Sequence, residues 1–393
     1  VRIVAAAIIA AWSGIAQAQP APRVVLDVAL PVAEGFTVDP YPSVGRLAIG
    51  RDDVQYVLLH TFKPAPDTSR PALEARIDLL ALAADGDVTQ RRVLPVQPKI
   101  GPKGFDLQTL GVVAARSGDL AVLVGGIDPK AAQRRTATTL LRLARDLKLK
   151  KTTRIGPPDS VRGRDDREAF YGVEVYLPTT DNAIMLGGGF GPGPQSWWMG
   201  KFNLDGKRLW QAGPGRGAPE RVPAIAQRRD GTWVSLVVEM RPDKSGTDWF
   251  IRRNAAKGKS LARTRLPQPY DSAAAILRDG SVLISDAHPD GTQKAEMAFY
   301  DDGGRLQRRA PWPYPRTWLL IAHGEGVAAV VSETTAPDAP TWLVRADAQG
   351  TILWRQGPIR VDEIVRLSDS RLAALVRPDR AAQSLRLVHY ADP

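Results

Sequence analysis

Nine side chains in this sequence have types and spacings suited to chemistry on a polar ligand: His60, Trp197, Trp198, Glu239, Arg241, Asp286, His288, Glu333 and Arg377. Imidazole and carboxylate groups ligate metals, and Asp286-x-His288 is the most ligand-like pair. The same stretch continues as His288-Pro289-Asp290-Gly291, a strong turn sequence, so a plain turn accounts for it equally. Carboxylates such as Glu239 and Glu333 do acid/base work when about 5 to 9 Å apart. Arg241 and Arg377 can clamp a carboxylate or phosphate bidentately, and Trp197 and Trp198 can stack on a ring. Together they describe a polar pocket with an aromatic platform, suited to a sugar, a peptide or an anion. Wetted loop tips show the same polarity without any ligand.

Other chemistries are excluded. The 393 residues contain no cysteine. Disulfides, Cys-ligated zinc, iron–sulfur clusters, c-type haem and a thiol nucleophile are therefore absent. There is no G-x-S-x-G nucleophile elbow. Gly187, Gly188 and Gly189 follow an apolar strand but open no helix, which a phosphate-binding loop requires. His323 lies in a short turn and His389 in the last strand, and both read as structural. No catalytic residue, resident metal or cofactor is assigned.

The elements that position these groups repeat every 45 to 55 residues. A turn with Gly or Asn followed by an apolar strand occurs in SGDLAVLVGG (117–126), TDNAIMLGGG (180–189), RDGTWVSLVV (229–238) and RDGSVLISDA (278–287). Weaker copies are RDDVQYVLLH (51–60), GEGVAAVVSE (324–333) and SDSRLAALVR (368–377), which makes seven. A second hairpin follows each after a loop, clearest in MGKFNLDGKRLWQ (199–211), AFYDDGGRLQRR (298–309) and WLVRADAQGTILWR (342–355). Its turn glycines Gly258, Gly304 and Gly350 are 46 and 46 apart. Asp-Gly turns between alternating strands are a hairpin signal, because these residues tolerate positive φ. Each unit thus has four short antiparallel strands, and a four-stranded sheet at this period is a β-propeller blade.

The expected fold is all-β, a propeller of seven four-stranded blades at about 44–98, 107–160, 170–219, 222–269, 271–316, 317–360 and 361–393. The last unit has three strands only. Arg23–Val32 is an orphan strand, and its pairing with Leu385–Tyr390 would complete blade 7 and remove an exposed edge. Residues 1–18 read as a secretory signal: Arg2, an apolar run from Ile3 to Trp12, then Ala16-Gln17-Ala18. A single propeller domain of 19–393, periplasmic or secreted, is the expectation.

The pattern resembles the broad quinoprotein-like group of β-propellers, whose blades carry a glycine turn followed by a Trp that docks neighbouring blades. Gly206…Trp210 and Gly350…Trp354 match this G-x-x-x-W spacing, whereas Gln90, Ala262 and Arg308 occupy the equivalent positions elsewhere. The resemblance covers most of 23–393 as a repeat and implies architecture, not chemistry.

In such a ring, the first-to-second and third-to-fourth strand turns share one face. The second-to-third loops and the connections between blades share the other. The latter are long here, and long loops on a rigid scaffold carry function. The ends of the second strands form a column of His60, Gly125, Gly187, Glu239, Asp286, Glu333 and Arg377, expected around one funnel. Arg134, Arg135 and the charged linker 156–172 fall on the same face. The net charge is +11, with the basic residues spread along the chain and no nucleic-acid-binding motif, so nucleic acid is not an expected partner. The reading is a monomeric, exported, non-catalytic propeller that binds a protein or a small polar or anionic ligand. The alternative is an enzyme using the same funnel: a hydrolase or lyase of a sugar- or lactone-like substrate, or a quinone-dependent dehydrogenase.

Overall fold

The computed structural model describes residues 20–39, 46–64, 74–96, 100–101, 104–105, 107–128, 135–155, 170–179, 181–190, 196–212, 220–241, 246–267, 273–286, 295–336, 339–367, 370–378 and 384–393. The signal segment 1–18, Arg134, His288 and the linker 156–169 lie outside them. The chain forms seven four-stranded antiparallel blades in a ring. Among the described residues there is no α-helix, and no helix is long and apolar enough to cross a membrane.

Blade 4 shows the plan: Glu220–Gln227, Trp233–Met240, Thr247–Asn254 and Ser260–Leu266 pair in sequence order. The first strands of successive blades touch one another all the way round, which makes them the innermost strands. Second strands are buried on both faces, as Gly326–Ser332 is throughout, because each blade is sandwiched between two others. They consequently read as continuous apolar runs such as Leu120–Val124. Outer strands alternate instead, as in Ser260–Leu266.

Among the described residues there is no single central core. The described apolar side chains form seven clusters, one at each junction between neighbouring blades. In blade 4, Trp233 and Val237 pack toward blade 3, whereas Val234, Leu236 and Val238 pack toward blade 5. Trp210 meets Trp233 of the next blade edge-on at 6.2 Å, and Trp354 meets Tyr390 of the next blade at 6.3 Å. Both tryptophans of the G-x-x-x-W spacing therefore do dock neighbouring blades.

The ring closes as expected from the orphan strand. Arg23–Ala29 pairs antiparallel with Arg386–Ala391 and becomes the outer strand of blade 7, beside Leu372–Arg377 and Arg360–Arg366. The outer-turn Gly86 of blade 1 has φ of +89° and sits against Val28 and Leu26 of that strand. Only glycine takes this φ without strain, and a Cβ there would lie 2.6 Å from Val28 Cγ2. Blade 1 differs in one respect: its innermost strand is split into Thr37–Val38 and Leu47–Ile49, both paired with Gln55–Lys63.

Candidate functional site

The seam between blades 7 and 1 unites two of the sequence candidates. Arg377 ends the second strand of blade 7 and His60 lies three residues inside the end of that of blade 1, and both reach Asp39 at the break in the split innermost strand. His60 Nδ1 lies 2.7 Å from Asp39 Oδ2, and Arg377 Nη2 donates to the Asp39 carbonyl at 2.5 Å. Arg377 Nε and Arg46 Nη2 each donate to Asp362 Oδ2 at 2.8 Å, and the Arg46 amide donates to Glu363 Oε2 at 2.6 Å. A register shift between Val361 and Glu363 marks a bulge at Asp362 on the innermost strand of blade 7. Burial lowers the Arg377 pKa, and the adjacent Asp362 carboxylate opposes that. His60 is 2% and Arg377 1% exposed, so they tie the seam from inside rather than face solvent. His389 adds a second tie, with Nε2 2.7 Å from Gln55 Oε1.

The three acidic members of the column are each engaged within their own blade. Glu239 pairs with Arg263 at 2.5 Å, Glu333 with Arg355 at 2.9 Å, and Asp286 lies 3.8 Å from Arg309. These arginines sit on fourth strands and recur 46 residues apart. Arg309 also holds Glu296 at 2.8 Å, and Arg241 holds Asp248 at 2.9 Å. Trp197 and Trp198 lie in the third strand of blade 3, opposite Gly189 and Gly188. Among the described residues, no three His or carboxylate side chains converge on one point.

An aromatic platform that sequence reasoning missed lies in blade 6, at the long-loop end. Trp318 sits on the innermost strand Arg316–His323, where the register shifts between Thr317 and Leu319. The residue remains 40% exposed. Two contacts hold it: Nε1 donates to Ser332 Oγ at 2.8 Å, and the Arg316 guanidinium lies over the ring at 3.6 Å. Arg316 Nη1 also donates to the Thr335 carbonyl at 3.1 Å. Farther out on the same blade, Arg355 on the fourth strand covers Trp342 on the third at 4.4 Å while pairing with Glu333. The Arg316-Thr317-Trp318 run was the visible signal, but nothing local marks it as facing the axis.

The opposite mouth of the axis was missed as well. A cavity of about 640 Å³ is lined by first-strand ends and turns of blades 1 to 4, including Ile49, Arg51, Ala114, Arg116, Thr179 and Gln227. A separate groove of about 440 Å³ lies between the turns of blades 4 and 5, lined by Arg228, Arg229 and Arg278 with Asp230 and Asp279. The repeated Arg-Asp at these turns (51–52, 229–230, 278–279) was legible, but the convergence of the turns was not.

No family model matches this sequence, and no curated protein does. Solved structures do resemble it. The β-propeller domain of the Trilobed protease from Pyrococcus furiosus, described as having an open velcro topology, aligns with a TM-score of 0.52 at 10% identity. The alignment covers 92% of this chain and 95% of that one. The Dos1 propeller aligns with a TM-score of 0.51 at 8% identity, covering 89% of this chain and 78% of that one. At such identity the likeness shows the fold alone. The chain is a seven-bladed β-propeller, and the quinoprotein-like resemblance extends no further than this architecture.

Proposed function

We propose that this chain is an exported, non-catalytic binding propeller that recognises a polar ligand or protein segment at its long-loop mouth, around Trp318. The observation that carries this reading is the state of Trp318: exposed, yet fixed by Ser332 and Arg316 on the innermost strand of a closed ring. Leaving a large aromatic side chain partly in water forgoes burial energy, and a pre-ordered ring is what a contact residue needs. On the outer strands of the same blade, Arg355 and Trp342, with Glu333, supply further charged and stackable groups suited to a sugar or a polar peptide. The engagement of Glu239, Asp286 and Glu333 by arginines favours binding over acid/base catalysis. The apolar N-terminal run ending in Ala16-Gln17-Ala18 supports export.

The test is a combined glycan and peptide array probed with the wild-type protein and Trp318→Ala, followed by titration of any positive. Saturable wild-type binding should weaken at least about tenfold in the variant, as for an interfacial aromatic anchor. An array without any Trp318-dependent binding removes the site. Saturating turnover of a sugar or lactone that depends on Glu239 or Glu333 removes the non-catalytic assignment.

A further inference from the structure

The basic residues are spread along the sequence but not evenly around the outer rim of the ring. The rim is built from the third-to-fourth strand turn and the outer strand of each blade. In blades 2, 3 and 4 these stretches are 144–155, 204–212 and 255–266, with outer strands Leu149–Ile155, Arg208–Ala212 and Ser260–Leu266. They hold eleven Lys and Arg against two Asp. The equivalent stretches of blades 5, 6 and 1 (301–311, 347–356 and 83–93), with the closing strand Arg23–Ala29, hold seven against six. The excess on three adjacent blades is thus close to the net charge of the whole chain, +11.

Contacts between blades join the three hairpins into one strip. Thr153 Oγ1, on the outer strand of blade 2, donates to the Asp205 carbonyl in the turn of blade 3 at 2.9 Å. A Cβ on Gly206 of that turn would lie 2.6 Å from Thr153 Cγ2, and one on Gly258 in the turn of blade 4 would lie 2.6 Å from Trp210 on the outer strand of blade 3. Lys151 is two residues from Thr153, Lys207 follows Gly206, Arg208 is two residues from Trp210, and Lys257 and Lys259 flank Gly258. Acids bound the strip at both ends: Asp301 and Asp302 open the turn of blade 5, and Asp85 and Asp87 flank Gly86 of blade 1.

The acids within and beside the strip are engaged by part of its cations. Asp205 pairs with Arg142 of the preceding blade and Asp146 with Lys148. Asp52, Asp119, Glu239 and Asp248 pair with Arg145, Lys150, Arg263 and Arg265. Lys151, Lys207, Arg208, Lys257 and Lys259 are exposed and make no ion pair among the described residues.

Charges of one sign on adjoining surfaces add to a common potential. A small anion meets one or two such cations, whereas a chain with repeating negative charges meets all of them and releases its counter-ions. The strip bends round three of the seven blades, so a flat membrane cannot touch its whole length and a flexible chain can. Single-stranded nucleic acid is bound by stacking bases on aromatic rings. The one aromatic residue of these three hairpins, Trp210, is partly buried between Gly258 and Trp233.

We propose that the outer rim of blades 2 to 4 is a binding strip for a linear acidic polysaccharide, whose carboxylate or sulfate groups engage Lys151, Lys207, Arg208, Lys257 and Lys259. The strip is independent of the Trp318 platform, which lies on the innermost strand of blade 6.

The experiment is titration of the purified protein with fluorescently labelled polygalacturonate and, separately, dextran sulfate, at an ionic strength of about 0.15 M, where the screening length is about 8 Å. The two polymers distinguish carboxylate from sulfate recognition. Two variants remove charge from different parts of the strip: Lys151→Gln with Lys207→Gln, and Lys257→Gln with Lys259→Gln. A third, Arg23→Gln with Lys63→Gln, removes the same charge from exposed positions on blades 7 and 1. The expected result is saturable binding of at least one polymer, with an affinity that falls steeply as salt is added. Each strip pair should weaken it at least about fivefold, the scale of two cations lost from an anionic surface. The Arg23 and Lys63 pair should change it less than about twofold, as scattered surface charge does. Trp318→Ala should leave it unchanged, which keeps this outcome separate from that of the long-loop mouth. Lack of saturable binding of either polymer overturns the proposal. So does equal weakening by all three pairs, or retention of full affinity in both strip variants. Tighter binding to a single-stranded oligonucleotide or to phosphatidylglycerol vesicles than to both polysaccharides overturns the choice of partner.

Discussion

Arg377 donates to the backbone carbonyl of Asp39, 338 positions earlier in the chain, at 2.5 Å. The second strand of the last blade is thereby fastened to the break in the innermost strand of the first. Its Nε binds the same Asp362 oxygen that Arg46 binds from blade 1. One buried carboxylate therefore serves two buried guanidinium groups drawn from both sides of the seam.

This makes Asp362 a sensitive polar position of the ring. Asp362→Ala leaves Arg46 and Arg377 buried without their shared counter-ion, which should cost about 3–5 kcal/mol. Urea unfolding measures it. Arg145→Ala, which breaks the exposed pair with Asp52, should cost less than about 1 kcal/mol in the same assay. Equal effects would mean that the seam network contributes nothing beyond a surface pair.

Closure also depends on the outer strand. Deleting Arg23–Val32 strips blade 7 of the strand paired with Arg386–Ala391 and exposes a sheet edge. The melting temperature should fall and aggregation should rise, as followed by calorimetry and light scattering. A deletion protein that melts like the full chain would show that closure contributes no stability.

Gly86→Ala tests the same contact from the facing blade. It combines a φ of +89° with a Cβ 2.6 Å from Val28 Cγ2, and should destabilise by about 1–3 kcal/mol. Gly231→Ala is the control. It has a similar φ of +80°, but its nearest neighbour would be Ala256 Cβ at an ordinary 3.6 Å. The excess loss in Gly86→Ala reports the clash between blades 1 and 7.

His323 provides a pH dependence of defined sign. Burial, then the charges of Arg345 and Arg366, push its pKa down to about 4, against an opposing pull from Asp392 and a hydrogen bond to the Ser370 backbone. The unfolded chain takes up this proton near pH 6.5, whereas the folded ring resists it until about pH 4. Between these values the unfolded state binds more protons, so stability falls as pH falls, by up to about 3 kcal/mol in total. Unfolding free energies from pH 7 to 4 should show this slope, and His323→Gln should remove that part of it. An unchanged slope in the variant would show that His323 already accepts a proton when folded.

The long-loop acids should be quiet. Glu239→Gln, Asp286→Asn and Glu333→Gln each break a partly exposed pair and should shift stability by less than about 1 kcal/mol. Thermal melts check this. A larger loss at any one would mark that pair as part of the fold rather than of a tolerant surface.

The blade repeat, the count of seven and the closing strand were all legible in the sequence, because hairpin turns and apolar runs are local and recur at a fixed period. The final three-stranded unit left one strand missing, and Arg23–Val32 left one over. The chemistry was not legible in the same way. His60 and Arg377 stood out as ionisable strand ends, yet the Arg46–Asp362 and Arg377–Asp39 contacts that tie the seam carry no local signal, since ring closure alone brings residues more than 300 positions apart together. Glu239, Asp286 and Glu333 were visible as a column. Which way each carboxylate turned was decided by arginines on outer strands of the same blade. Trp318 and the turn arginines were ordinary side chains until a circular arrangement pointed seven innermost strands at one axis. Periodicity is written in near neighbours, whereas the axis, its two mouths and the seam exist only once the ring has closed.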